Sequence, residues 1–345
     1  VVVRPDILYR RYSYTTSRSA TMERHFKELC AHISNNASGA VIEIGSNDGH
    51  FLDRMHRAGF GPVLGVDPAE NLCTKAKEMG YTALARPWNM EAAYATKDFL
   101  KDPNVIVARH VFCHVDNWRG FIDALEHIST TETLVVIEVP YADDLLRKVE
   151  LDTIYHEHLS YFTIRALASL LQDTRFHVHD VTRFSIHGGS LVVMLRHNDS
   201  IHAPNSNVSK FFLEENTNLD RWREFAVNAE FSIERLRDRV TSLHSSGKMV
   251  VGYGASAKST VWIHAARISQ SLEFLVDSTE EKIERCSPGT DLQILSEKLL
   301  PDGEDGAAVL FAWNYADEIV AKNRAFTDNG GIFINPVTGA TIGKA

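Results

Sequence analysis

"VIEIGSNDGHFL", Val41 to Leu52, decides the fold of this chain. Val41–Ile44 reads as a short buried strand, Gly45 to Gly49 as a tight turn, and His50 onward as a helix. Upstream, Met22, Phe26, Leu29 and Ile33 recur at helical spacing and predict a helix over 18–33, stopped by "NNASG". Downstream, "PVLGVD" is a second strand, "AENLCTKAKEMG" a helix, and Tyr81–Ala85 a weak third strand. "NVIVARHV", "WRGFIDALEHI" and "TLVVIEVP" continue as strand, helix and strand. Such alternation predicts a parallel sheet covered on both faces.

The order then changes. After a helix over Ile164–Leu171, "HVHDVTRFSI" and "LVVMLRH" flank "HGGS", which reads as an antiparallel hairpin. A parallel sheet closed by such a hairpin points to an α/β class I methyltransferase fold, Rossmann-like in its wiring. The polar "NDSIHAPNSNVS" ends this domain, and Phe212 to Leu243 reads as one or two long helices. A second, smaller α/β unit begins at "GKMVVGYGASAKS", with strands "MVVGYG", "LEFLVD", "AVLFAW" and "GIFINP". The expected organisation is an N-terminal segment 1–20, a cofactor domain 21–200, a helical connector 201–247 and a C-terminal α/β domain 248–345. No repeat of fixed period is visible.

At 345 residues the chain is too long for one ordinary core, which agrees with two domains. Apolar content of 44% and charged content of 23% are those of a globular protein. A net charge of −9 argues against nucleic acid or anionic membrane as partner. Cys30, Cys73, Cys113 and Cys286 form no C-x-x-C pair, so neither a thiolate metal site nor a disulfide framework is expected. A cytoplasmic monomer or homodimer is the expectation, since no apolar run spans a bilayer and the start lacks a signal-peptide core.

The first turn sets the ligand chemistry. Open α/β sheets bind ligands beyond the carboxyl ends of their strands, which here gathers Glu43, Gly45, Asn47, Gly49 and, from the second strand, Asp67. A pyrophosphate site favours free helix amides, whereas this turn carries Glu43 and Asp48. Such acids repel a pyrophosphate and attract a sulfonium or ammonium. S-adenosylmethionine fits better than NAD, with Asp67 placed to accept the ribose hydroxyls.

"TIYHEHLSYF", Thr153 to Phe162, follows the fifth strand and overhangs the same crevice. Methylation of oxygen needs little beyond alignment. Methylation of carbon first needs a carbanion, hence a base at a C–H and a donor for the oxyanion. Histidine beside glutamate supplies the first, and tyrosine or a further histidine the second.

"YHEHLSYF", "VIEIGSNDG", "HVFCHVDN", "IHGGSL", "GYGASAK" and "WNYADEI" together resemble the sugar C-methyltransferases that act on nucleotide-linked 4-keto-deoxyhexoses, of the tylosin- and tetronitrose-pathway kind. The resemblance runs nearly the whole chain, in order. It implies S-adenosylmethionine as cofactor and a nucleotide sugar as substrate, with His158 as base and Glu157 and Tyr155 shaping the site. It further implies that His114 faces the sugar and that an aromatic of "RYSYTTSRSA", Tyr14 or Tyr12, reaches in. The family opens with a cysteine-rich zinc domain that this sequence does not contain, and "RRYSYTTSRSATMERHF" resembles the segment that follows it. His110 stands where the family more often has Asn, which bears on how the cofactor's methionine portion or the sugar is held.

"VVGYGASAKST" also satisfies G-x-G-x-x-G/A, with Asp277 closing the next strand about 25 residues on. Read alone, it is a dinucleotide site, and an NAD(P)-linked sugar-nucleotide oxidoreductase is the rival reading. An O- or N-methyltransferase and a silent binding module are two more. The resemblance assigns this domain to the sugar nucleotide, with Gly254, Ala255 and Lys258 at a diphosphate. His187 and Ser190, at the hairpin turn, are further candidate substrate contacts.

Overall fold

The computed structural model describes residues 3–15, 19–301 and 303–342. The chain forms two compact units that do not follow one another along the sequence. The first is Val1–Asp144 with His156–Asn216, and the second is Leu145–Tyr155 with Thr217–Ala345.

The first unit is a seven-stranded sheet. Its strands are β1 (Val41–Ile44), β2 (Val63–Asp67), β3 (Thr82–Ala85), β4 (Val105–Arg109), β5 (Leu134–Pro140), β6 (Phe176–Phe184) and β7 (Ser190–His197). Their spatial order is β3-β2-β1-β4-β5-β7-β6. The first five run parallel, while β7 enters antiparallel between β5 and β6. The class I methyltransferase sheet read from the sequence is therefore present, hairpin included. β1, β4 and β5 are buried on both faces, which is why they read as continuous apolar runs.

The N-terminal helix is Ala20–Ser34, capped by Ser19 Oγ on the Met22 amide. Its predicted start at Arg18 lies outside the described residues. Met22, Phe26, Leu29 and Ile33 face the core as their spacing demanded. Five short helices escaped the sequence, among them Pro5–Leu8, Ala316–Lys322 and Arg324–Asp328. Met90–Lys97 lies between β3 and β4. Ala142–Lys148 occupies ground expected to be loop, with Asp143 and Asp144 in its first turn and Arg147 and Lys148 in its last. The region expected from Phe212 to Leu243 resolves into Ser206–Glu214 and the 27-residue Leu219–Ser245, the latter capped by Asn218 Oδ1.

The second unit holds six strands where four were expected: β8 (Met249–Tyr253), β9 (Leu275–Asp277), β10 (Ile294–Ser296), β11 (Gly306–Leu310), β12 (Ile332–Ile334) and β13 (Thr341–Ile342). The additional two, β10 and β13, are only three and two residues long. The order is β10-β9-β8-β11-β12-β13, parallel except for β13. It repeats the wiring of the first five strands of the first unit, again followed by an antiparallel edge. No helix among the described residues is long and apolar enough to cross a membrane.

Candidate active site

The first glycine turn leaves β1 with Gly45 at φ 70°, Asn47 at 50° and Gly49 at 84°. A Cβ on Gly49 would lie 2.9 Å from Ala76 Cβ and 3.0 Å from Ala76 Cα, so the helix from His50 packs closely only because none is there. Asp67 braces the bend: its carboxylate accepts the amides of Asn47 at 2.9 Å and Ala69 at 2.8 Å. Burial pushes the Asp67 carboxyl up, and these two amides pull it back. Asn47 Nδ2 donates to the Tyr14 carbonyl at 3.1 Å, tying the N-terminal segment to the turn.

Glu43 behaves differently from the expectation that it would confront a cation. It is fully buried, and its Oε1 accepts from Arg109 at 2.7 and 3.1 Å. The guanidinium is in turn sandwiched between Phe26 and Phe51, 4.5 and 4.3 Å from the ring centres. Burial pushes the Glu43 carboxyl up to about 7 against the pull of Arg109. Asp48 and Asp67 thus remain as the acids of the turn. A pyrophosphate there would meet carboxylate instead of a free Asn47 amide, whereas the positive sulfonium and ammonium of S-adenosylmethionine suit it.

The opposite wall comes from the end of β4 and from residues 156–162. After β4 the chain makes a 3-10 turn, Phe112–His114. The amides of Leu159 and Ser160 both donate to the Cys113 carbonyl, at 2.8 and 3.2 Å, and Phe162 stacks on Phe112. This backbone clamp brings the His158 ring to 5.1 Å from that of His114. His114 Nδ1 lies 2.7 Å from the Glu157 carbonyl oxygen. A carbonyl only accepts, so Nδ1 carries the proton and the neutral ring leaves Nε2 as its basic atom. Burial pushes the His114 imidazole down and favours that neutral form.

Tyr12 donates its phenol to Glu157 Oε2 at 3.0 Å. Tyr9, which the sequence reading passed over, packs edge-on against His114 at 5.8 Å and lies as close to Tyr12. Burial, and then Glu157, push its phenol up, so it is a donor at neutral pH. The signal was present in the tyrosine run at 9, 12 and 14, but spacing alone did not say which ring turned inward. Tyr14 is 42% exposed and meets the site through its backbone. Tyr155 belongs with the second unit. Cys113 Sγ and ring nitrogens of His114 and His158 lie within 4.8 Å of one another. Burial pushes that thiol up to about 12, which disfavours the thiolate a soft metal ion requires.

Beside this cluster His110 adopts φ 51°. Its Nε2 lies 3.3 Å from Ser190 Oγ and 3.5 Å from Glu138 Oε1, and its ring meets His187 edge-on at 4.7 Å. His187 and Ser190, singled out from the hairpin turn, therefore converge on His110.

In the second unit the glycine turn is built as the first one is. Asp277 ends β9 and accepts the amides of Ala255 and Thr279, both at 2.8 Å. The Ser256 amide donates to Ser259 Oγ within a capping box. Lys258 Nζ lies 3.2 Å from Asp152 Oδ1 and 3.3 Å from Thr153 Oγ1. Asp152 is fully buried, and its Oδ2 also accepts the indole N–H groups of Trp262 at 3.1 Å and Trp313 at 2.7 Å. The donors that would cradle a dinucleotide at Gly254, Ala255 and Lys258 are thus engaged inside the protein, which removes the basis of the NAD reading. A separate cleft of about 480 Å³ in this unit is lined by Arg147, Lys148, Arg235, Phe231, Trp313 and Asn335 among others, and no carboxylate among the described residues lines it.

The comparisons agree with the geometry. Residues 14–181 match a family described as methyltransferase domain, and residues 185–338 match the C-methyltransferase C-terminal domain. C-methyltransferase NovU of Streptomyces niveus is 31% identical over 347 residues, covering 97% of this chain and 82% of that protein. Among solved structures, the N-methyltransferase NodS of Bradyrhizobium japonicum aligns at 13% identity over 52% of this chain and 98% of its own, with a TM-score of 0.40. Magnesium protoporphyrin IX methyltransferase of Synechocystis, with bound SAM, aligns at 12% identity over 51% of this chain and 78% of its own, with a TM-score of 0.38. Those two overlaps are too loose to carry a residue correspondence. The match along almost the entire length to NovU decides the matter: this chain belongs to the C-methyltransferases and is a SAM-dependent enzyme of that family.

Proposed function

We propose that the chain methylates the carbon alpha to the ketone of a nucleotide-diphosphate-linked 4-keto-deoxy sugar by way of an enolate. The observation that carries this reading is the packing of His158 against His114, with the Glu157 carbonyl fixing the tautomer of His114 and Tyr12 holding the Glu157 carboxylate. His158 takes the alpha proton, and the electron pair of that C–H bond moves onto the carbonyl oxygen. Tyr9 is the donor assigned to the resulting oxyanion, while His114, its proton held on Nδ1, turns Nε2 to the sugar as an acceptor. Gly45, Asn47, Gly49 and Asp67 hold the cofactor at the first turn. S-adenosylmethionine, when bound, supplies the methyl carbon, and its sulfur keeps the electron pair of the broken C–S bond. Holding both reactants in line supplies an effective molarity of up to ~10⁵–10⁸ M in favourable cases.

The second unit supports the nucleotide-linked part of the reading. A cleft of 480 Å³ is within the range that encloses small ligands. Arg147, Lys148 and Arg235 suit a diphosphate, and Phe231 and Trp313 suit a base. This shifts the proposed diphosphate contact away from Lys258, whose charge is already matched by Asp152.

The test replaces His158 by Asn and follows two readouts with a nucleotide-linked 4-keto-deoxyhexose: methyl transfer, and entry of solvent deuterium at the alpha carbon. Loss of both is expected. Full retention of both removes His158 from the role of base.

A further inference from the structure

Behind His110 lies a buried acid–base assembly that methyl transfer as described above does not use. Glu138, on β5, is fully buried. Its Oε1 is 2.9 Å from Nε2 of His25, itself only 5% exposed on the N-terminal helix, and 3.5 Å from Nε2 of His110. The approaches are close but poorly aligned, so neither carboxylate oxygen has a well-formed hydrogen bond among the described residues. Burying a carboxylate costs several kcal/mol unless it is matched. Leaving two imidazoles as its company is therefore costly for a purely structural contact. Burial by itself would raise the Glu138 carboxyl, yet His25 and His110 outweigh it and hold the group well below the ordinary range. Glu138 is thus an anion that faces both imidazoles.

Only His110 of the two histidines stands at the carboxyl edge of the sheet. Its backbone is held in the left-handed region, which non-glycine residues adopt rarely. The His110 amide donates to the Glu138 carbonyl at 2.8 Å, so main chain and side chain are fixed by one residue. Other groups facing the ring are Ser190 on β7, His187 just before it, and His114 from the following 3-10 turn. None of these three is an acid, so Glu138 is the carboxylate that faces the ring.

We propose that His110 is a second catalytic residue of the methyl-transfer site, donating a ring N–H to the enolate oxygen, with Glu138 and His25 acting through it as positioning residues. The bookkeeping of the step is simple. The alpha proton goes to His158, the electron pair to the oxygen, and His110 lends a hydrogen bond that it withdraws when the ketone re-forms. The part concerning the enolate rests on the proposed function; the coupling of His110 to Glu138 does not.

The experiment separates the two. Histidine ring ¹⁵N spectra of the whole chain, without substrate, follow the titration of His110 in the wild type, in Glu138→Gln and in Glu138→Asp. His110→Asn identifies its resonance. Glu138→Gln should lower the His110 midpoint, and Glu138→Asp should restore it in part. The second readout is turnover of the nucleotide-linked 4-keto-deoxyhexose across pH 5–9. His110→Asn and Glu138→Gln should each lower kcat about tenfold, with KM changing less than threefold, and should each change the shape of the pH profile of kcat relative to the wild type. An unmoved midpoint in a folded Glu138→Gln overturns the coupling. A kcat and pH profile unchanged in His110→Asn overturn the catalytic role. If the wild type turns over no such sugar, the proposed function fails and the catalytic role with it, while the midpoint still judges the coupling.

Discussion

Asp152→Asn should strike the second unit without touching the first. The carboxylate is fully buried and holds three donors, Trp313 Nε1, Trp262 Nε1 and Lys258 Nζ, at 2.7, 3.1 and 3.2 Å. Asparagine keeps the shape and one acceptor but removes the charge, and it turns an NH₂ group towards an ammonium or an indole N–H. Removing one partner of a buried ion pair costs about 3–5 kcal/mol. The Lys258 side chain keeps 18% exposure and Thr153 Oγ1 as a contact, which places the cost near the lower end, about 3 kcal/mol. At roughly 2–4 °C per kcal/mol for a unit of this size, its melting point should fall by about 10 °C. Tryptophan emission reports the event directly, because two of the five tryptophans donate to this one oxygen. The variant should melt early in emission while S-adenosylhomocysteine affinity stays at the wild-type value. Adding Lys258→Met removes the stranded ammonium, so the double variant should be less destabilised than the two single changes added together. An Asp152→Asn protein melting within about 2 °C of the wild type would refute the reasoning, since ~3 kcal/mol cannot shift a midpoint so little.

Three further outcomes can be checked. Glu43 is held near 7 by burial while an ordinary glutamate titrates near 4.5, so the folded chain binds its proton more tightly than the unfolded chain does. Stability contributed by this group is therefore full below pH 4.5 and declines as pH rises to 7; urea midpoints of wild type minus Glu43→Gln should shrink between pH 5 and pH 8. Gly49→Ala forces a Cβ against Ala76 at φ 84°, where the left-handed conformation alone costs about 1–2 kcal/mol, and calorimetry should show S-adenosylhomocysteine binding weakened about tenfold. Arg235→Gln in the cleft should weaken binding of a nucleoside diphosphate about tenfold by the loss of a charged hydrogen-bonding partner, with inorganic phosphate and S-adenosylhomocysteine as controls; unchanged affinity would place the diphosphate elsewhere.

The sheet of the first unit was legible because its central strands are buried on both faces and carry continuous apolar runs between glycine turns. Helix Ala142–Lys148 was hidden by its neighbours: it begins two residues after Pro140 and offers only one turn of acids and one of bases. Met90–Lys97 has too weak a sidedness to announce itself, with alanines where a stripe of larger residues would be. β13, of two residues, is shorter than any periodic pattern can register, and β10, no shorter than β9 or β12, has only Ile294 and Leu295 between the polar Gln293 and Ser296. At the site, the histidines and Glu157 could be named because they crowd into one short segment. Tyr9 against His114, Glu43 with Arg109, and His25 with Glu138 could not, for each joins residues far apart in the chain whose meeting depends on strand register. The acid that accepts two amides, Asp67 in one unit and Asp277 in the other, was visible as a strand-ending residue but not as a brace.

The interleaving of the two units has a bearing on how the polypeptide is made. Leu145–Tyr155 leaves the ribosome long before the remainder of its unit, and Trp313 follows Asp152 by 161 positions. At 5–20 residues per second, that interval is roughly 10–30 s. Throughout it Asp152 lacks one of its two indole donors. The hydrogen-bond shell of this early aspartate is therefore completed only when one of the later segments of the chain has been made.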